Sequence, residues 1–213
     1  MKLFTPEYWP VHVICAGMIA AAVIDWWKFK VPNKLTFPLI FSGWLLGLCN
    51  NFGLEAGVGG VGAALAGTFL GLALLVPVYA IGGMGAGDVK MTMGFGSWIG
   101  AFFGFTQGMW IIVYAFCAGT IVGGIIALGM IVVRGNYQQN ALHMKEIVGD
   151  MFNSQGIGDV AAKANRRRPR WHRLPYGVPL CIGFLGYLVW IFEICPAVPP
   201  TASPELPAQA ARQ

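Results

Sequence analysis

From Met91 to Val133 the chain carries no charged residue and no histidine, a run of 43 residues. One helix crosses a bilayer core in about 20 residues, so a run this long is two crossings with a turn between them. The turn is expected near Phe105 to Gly108, where Gln107 and Gly108 interrupt the apolar pattern. Lys90 and Arg134 bound the run. Cationic flanks prefer the cytoplasmic side, and two crossings return the chain to that side. The first crossing is then about 16 residues, or roughly 24 Å at 1.5 Å per residue. That is shorter than the core it spans, so it is expected to start in the interface or to be sheltered by neighbours.

The rest of the chain repeats this logic. Val11 to Ile24 is the apolar centre of a first span, ended by Lys28, Lys30 and Lys34. Between Leu35 and Gly87 the single charge is Glu55, beside Asn50, Asn51 and Gly53. That pattern is two spans, Leu35 to Cys49 and Val58 to Ile81, joined by a polar turn. A last span runs from Tyr176 to Ile194. The fold class is therefore all-α, a polytopic membrane protein of about six transmembrane helices. Composition agrees: 56% of the residues are hydrophobic and 11% charged, against about 25% charged in soluble domains. Thirty glycines without a three-residue period suit close helix packing, because small residues let membrane helices approach.

Basic residues test the map. With the N-terminus outside, the inner segments hold Lys28, Lys30, Lys34, Lys90, Arg134, Lys145, Lys163, Arg166, Arg167, Arg168, Arg170 and Arg173, and only Lys2 and Arg212 lie outside. Twelve against two is a strong orientation bias. The net charge of +5 is thus placed for topology. It is not spread over a surface for nucleic acid. Lys2, the run from Val11 and the small residues Ala20 to Ala22 have the outline of a cleaved signal peptide. The run continues to Trp27 and is preceded by Glu7 and Pro10, so a retained span is expected. One membrane domain, 1–195, is expected, with a cytoplasmic loop 134–174 and a Pro/Ala-rich disordered tail, 196–213. In the loop, Ala141 to Val148 is expected to form a short amphipathic helix. The Arg166–Arg173 cluster reads equally as a site for anionic lipid heads and as a plain topology signal.

Chemistry narrows to two acids. Glu7, Glu55, Glu193 and Glu205 fall on the outer side, and Glu146, Asp150 and Asp159 in the cytoplasmic loop. Asp25 closes the first span and Asp88 opens the fourth, both at the cytoplasmic boundary. Ionisable groups at membrane depth are functional candidates. Asp88 stands in a glycine loop, Gly82-Gly83-Met84-Gly85-Ala86-Gly87-Asp88-Val89-Lys90, which frees the backbone to approach a partner. A phosphate-binding P-loop needs Gly-Lys-Ser/Thr where this chain has Gly87-Asp88-Val89. A dinucleotide fingerprint starting at Gly83 needs glycine at 88. Peptide hydrolysis needs only two carboxylates sharing one proton. One takes a proton from water and the other donates to the carbonyl oxygen, because two close carboxylates do not both ionise cheaply. Five scattered cysteines form no CxxC pair, and His143 and His172 stand alone in the loop. No metal site is expected. Ser97 lies in no nucleophile motif.

The residues also carry a resemblance. Gly85-Ala86-Gly87-Asp88 is a GxGD motif, the signature of the GxGD intramembrane aspartic proteases. Asp25 followed by Val31-Pro32-Asn33 resembles the first-aspartate segment of prepilin peptidases. Leu174-Pro175-Tyr176-Gly177-Val178-Pro179 is similar to the PYG segment of the short Tad/Flp-pilus prepilin peptidases. The resemblance implies an aspartic endopeptidase with Asp25 and Asp88 as its catalytic pair and no metal or organic cofactor. It implies a prepilin substrate, cleaved after a glycine at the cytoplasmic face of the bacterial inner membrane, and an N-terminus on the periplasmic side. The larger, bifunctional members insert a cysteine-rich segment between the first two spans, which this chain lacks, so no N-methyltransferase activity is implied. The loop 134–174 is longer than a minimal member needs.

Supporting roles are expected at Gly85, Gly87, Lys90 and Asn33, either in binding substrate or in shaping the loop. Lys90 would meet a lipid phosphate or a substrate carboxylate, or mark the inner side. Asn33 and Pro32 would shape the turn into the second span. Tyr176 would anchor at the membrane interface or, less simply, reach the site from the start of the last span. Two other functions compete. A small ion- or proton-coupled transporter would use the same two acids, but near mid-bilayer. A structural subunit of a secretion machine would need neither acid. No oligomeric state follows from these features.

Overall fold

The computed structural model describes residues 6–28, 31–53, 56–80, 84–134 and 176–194. Lys2, Lys30, Glu55, Gly82 and Gly83 lie outside these residues. So do the loop after Arg134, with its expected amphipathic helix, arginine cluster and histidines, and the tail after Cys195.

Six long helices follow one another: α1 Trp9–Lys28, α2 Asn33–Asn51, α3 Val61–Ala80, α4 Ala86–Phe103, α5 Phe105–Arg134 and α6 Gly177–Val189. A 3-10 turn, Pro6–Tyr8, leads into α1, and a π-helical turn, Trp190–Ile194, extends α6. The protein is an all-helical polytopic membrane protein. Among the described residues, four stretches are long and apolar enough to cross a bilayer on their own: Pro6–Lys28, Val61–Ala80, Phe105–Met130 and Gly177–Ile194. α2 and α4 fall short. α2 begins and ends in polar residues, Asn33, Lys34, Asn50 and Asn51. α4 has 18 residues, about 27 Å, and carries Asp88, Lys90, Thr92 and Ser97.

α4 is short and polar because its neighbours shelter it. Fourteen of its 18 residues are buried, and it packs against all five other long helices. Apolar burial does not drive helices together in lipid, so packing must. The α3–α4 contact shows how. Ala63, Gly67 and Gly71 on α3 oppose Gly100, Gly96 and Thr92 on α4, in antiparallel register at four-residue spacing. A Cβ at Gly67 would collide with the Gly96 carbonyl, and one at Gly96 with that of Gly67. At Gly71 it would come within 2.7 Å of the Thr92 carbonyl oxygen. Indole N–H groups add polar links to this core: Trp44 donates to the Thr68 hydroxyl at 2.9 Å, and Trp98 to the Leu39 carbonyl at 2.9 Å.

The turn in the uncharged run differs from the expectation. α4 ends at Phe103 and α5 starts at Phe105, with Gly104 alone between them at φ +81°. Only glycine adopts that conformation without strain, so the chain reverses in one residue. Gln107 and Gly108 lie inside α5. Their polarity suggested a loop, but Gly108 meets the Gly100 backbone instead, where a Cβ would stand 3.1 Å from its Cα.

Candidate active site

Antiparallel succession brings the end of α1 and the starts of α2, α4 and α6 to one end of the bundle. Asp25 lies one turn before the end of α1, and Asp88 is the third residue of α4. Each is 5% exposed. α1 packs on α4, and the two carboxyl groups are close enough for the Asp25 charge to act on Asp88. The two sequence candidates for catalysis therefore share one site.

Helix N-termini hold both acids. Gly85 caps α4, and its N–H donates to Asp88 Oδ2 at 3.2 Å. This is one half of a capping box, in which the third helical residue reaches back to the cap. Asp25 Oδ2 accepts the N–H of Gly177, the first residue of α6, at 3.1 Å in a buried contact. A helix start carries unpaired N–H groups and about half a positive charge, so each carboxylate finds a favourable field inside an apolar bundle. Asp88 Oδ1 is the exception. It is buried and has no hydrogen-bond partner among the described residues. An unsatisfied buried acceptor is costly; the Thr36 hydroxyl, at the start of α2, is the other such group among the described residues.

The supporting residues divide. Gly87 is sterically required: a Cβ there would stand 3.0 Å from the Val31 Cβ and 3.3 Å from its backbone nitrogen. Val31 is thereby buried against α4. Gly85 is not crowded. A Cβ would meet Asp88 Oδ2 at 3.5 Å, an ordinary contact, and its φ of −84° suits any residue. Lys90 Nζ donates to Asn33 Oδ1 at 2.8 Å and lies 4.7 Å from the centre of the Phe37 ring. The structure thus joins Lys90 and Asn33 to each other, tying the start of α2 to the first turn of α4. Ser97 is fully buried and donates to the Gly94 carbonyl at 2.8 Å, remote from any nucleophile's role.

Gly177 is the site residue that the sequence did not single out. A Cβ on it would come within 2.9 Å of Asp25 Oδ2, so glycine alone lets α6 start against the carboxylate. The signal was present as the glycine between Tyr176 and Val178, but nothing local says that it faces residue 25, 152 positions away. Tyr176, expected at the membrane interface, is half-buried beside it, and the Asp88 charge acts on its phenol.

The type IV leader peptidase family matches residues 12–150. A prepilin leader peptidase/N-methyltransferase of Aeromonas salmonicida is 29% identical over 132 residues, 59% of this chain and 40% of the relative. One from Aeromonas hydrophila is 28% identical over 132 residues, 59% of this chain and 41% of the relative. One from Burkholderia pseudomallei is 33% identical over 88 residues, 41% of this chain and 28% of the relative. The matched part of this chain spans less than half the length of these relatives. No solved structure matches the chain.

Proposed function

The chain belongs to the type IV leader peptidase family, and on that premise we propose that it is an intramembrane aspartic endopeptidase that removes the leader peptide from type IV, Flp-like prepilins. The observation that carries this reading is that Asp25 and Asp88 are both buried at one end of the bundle, on helices that pack together. Two such carboxyl groups suffice for peptide hydrolysis. The ionised one takes a proton from water, and the water oxygen bonds to the scissile carbonyl carbon. The neutral one gives its proton to the carbonyl oxygen. Proton return to the nitrogen then breaks the C–N bond. The pair titrates as a unit.

Position supports the cytoplasmic-face reading. Lys28, Lys34 and Lys90 lie at the same end of the bundle as the acids, and lysines favour the inner side. The same position disfavours the transporter, whose acids belong near mid-bilayer. The N-terminus of α1 would then face the periplasm across the inner membrane. The relatives are named for two activities, and the matched segment covers only part of them. In this chain only residues 29–32 separate α1 from α2, so a peptidase without N-methyltransferase activity is proposed.

Co-expression with a Flp-type prepilin tests the reading, with leader removal followed on a gel for wild type, Asp25→Asn and Asp88→Asn. Cleavage by wild type and by neither variant is expected. Cleavage that persists in either variant breaks the dyad. A well-expressed wild type that cleaves no prepilin returns the transporter to the front. Rate against pH should be bell-shaped. It rises as the first acid ionises and falls as the second loses its proton. A rate that climbs through the acid and neutral range without a falling limb counts against a shared proton. Chelators should leave the rate unchanged.

A further inference from the structure

Two aromatic fates are visible at the acid end. Trp26 and Trp27 are 60% and 77% exposed, as outward-facing interfacial anchors should be. Tyr176 is half-buried instead. Its backbone is held on the helical side. Its carbonyl accepts the Leu180 N–H at 3.3 Å inside the first turn of α6, and its neighbour Gly177 donates to Asp25 Oδ2 at 3.1 Å. The ring is thus carried beside a residue bonded to Asp25, while its phenol feels the charge of Asp88. A phenol is a hydrogen-bond donor at neutral pH. Asp88 Oδ1 has no hydrogen-bond partner among the described residues.

We propose that Tyr176 is a further catalytic residue of this site, donating a hydrogen bond from its phenol to the scissile carbonyl oxygen while water adds to the carbonyl carbon. The assignment rests on the peptidase reading above. As the new C–O bond forms, the carbonyl π pair moves onto that oxygen. The neutral carboxyl group gives it a proton, and Tyr176 supplies a second, fixed donor without giving up its own. A donor placed before the charge develops costs nothing to reorganise during the reaction. An interfacial anchor would instead act on stability and orientation.

Wild type and Tyr176→Phe, purified whole into proteoliposomes, separate the two roles. Phenylalanine keeps the ring and removes the donor. The expected result is a kcat lowered about 10²-fold, the range seen when one such donor is removed. KM and the unfolding temperature should stay as in wild type. A variant that keeps more than about a third of wild-type kcat, or loses rate through KM or through stability, overturns the proposal. A second measurement needs no prepilin. A peptide carrying a statine-type tetrahedral hydroxyl is bound to both proteins and its Kd measured. Tyr176→Phe should weaken it about tenfold or more, since such mimics report transition-state contacts. Equal affinity for both proteins, or no binding to either, overturns the assignment. If wild type cleaves no prepilin yet the mimic discriminates, the substrate reading falls and Tyr176 stands.

Discussion

The two ends of this bundle are built on opposite terms. At the end remote from the acids, polar groups are satisfied. The Asn50 side chain donates to the carbonyls of Gly59 and Ala101 at 2.9 and 3.0 Å and accepts the Ala56 N–H at 3.1 Å. The N–H groups of Val58 and Gly59 pair with the carbonyls of Phe102 and Ala101. Tyr8 packs edge-on to Phe102 and Phe192 over the same region. At the other end two carboxyl groups share one site, and two buried side-chain oxygens, Asp88 Oδ1 and Thr36 Oγ1, have no hydrogen-bond partner among the described residues. The first end holds the α2–α3 connection on the α4–α5 hairpin. The second keeps a costly arrangement that packing elsewhere must sustain. Functional sites commonly sacrifice stability in this way.

The widest separation between the ends should appear on replacing the acids. Asp25→Asn and Asp88→Asn should each lower the cleavage rate at least about 10³-fold, within the range for losing a general acid or base. Neither should lower the unfolding temperature, because an amide keeps the shape of the carboxyl group and removes the cost of burying an ionisable one. A variant that lost rate and stability together would mean that the acids hold the fold, and the contrast would collapse.

Asn50→Ala should do the reverse. It removes three hydrogen bonds, each worth about 0.6 kcal/mol on average between membrane helices, so a loss of about 2 kcal/mol is expected. Unfolding in mixed micelles would measure it. The rate per folded molecule should stay near wild type. A specific loss of activity at unchanged stability would show that the far end reaches the acids.

Sequence reading found the helices and missed the reason for their turns and junctions. Charge placement sufficed for six helices because lipid excludes charge so strongly. α4 was legible as short. That α4 is the central helix was not, since its glycines only acquire meaning opposite Gly67 and Ala63. The Gly104 reversal was masked by Gln107 and Gly108, which look like a loop but serve α5 packing. Asp25 and Asp88 were legible because isolated acids stand out in an apolar chain. Gly177 was not, because its role depends on a contact between the first and last helices. Glu-free, lysine-poor local sequence carries no trace of such a pairing. Asn50 was visible only as polarity at a turn, and its three bonds are a tertiary fact.

Gly177→Ala tests the acid end at its tightest junction. The added methyl would push α6 and Asp25 apart, lengthening the bond from the Gly177 N–H. A rate loss of about tenfold is expected, about 1.4 kcal/mol on the barrier. The pH profile should move with it, since that N–H favours the ionised form of its partner. An unmoved profile with lowered stability would make Gly177 a packing residue, and the acid end would then resemble the other.

The smallest effect is expected at Lys90 and Asn33, where the two descriptions of one end compete. Their contact is exposed, so its worth should be at most about 1 kcal/mol. If the pair only ties α2 to α4, Lys90→Met and Asn33→Ala should each cost a few tenths of a kcal/mol in stability. The double variant should then cost no more than the larger single one, as for two residues sharing one interaction. Cleavage should stay within about threefold of wild type in all three, since a tie between helices is not strengthened in the transition state. A substrate-binding Lys90 predicts another pattern. KM would rise in Lys90→Met while Asn33→Ala stayed silent, because freeing the ammonium from Asn33 does not remove it. The single Asn33 variant is therefore the informative one. A rise in KM there as well would mean that Asn33 aims the lysine at substrate, and the tie would belong to the site.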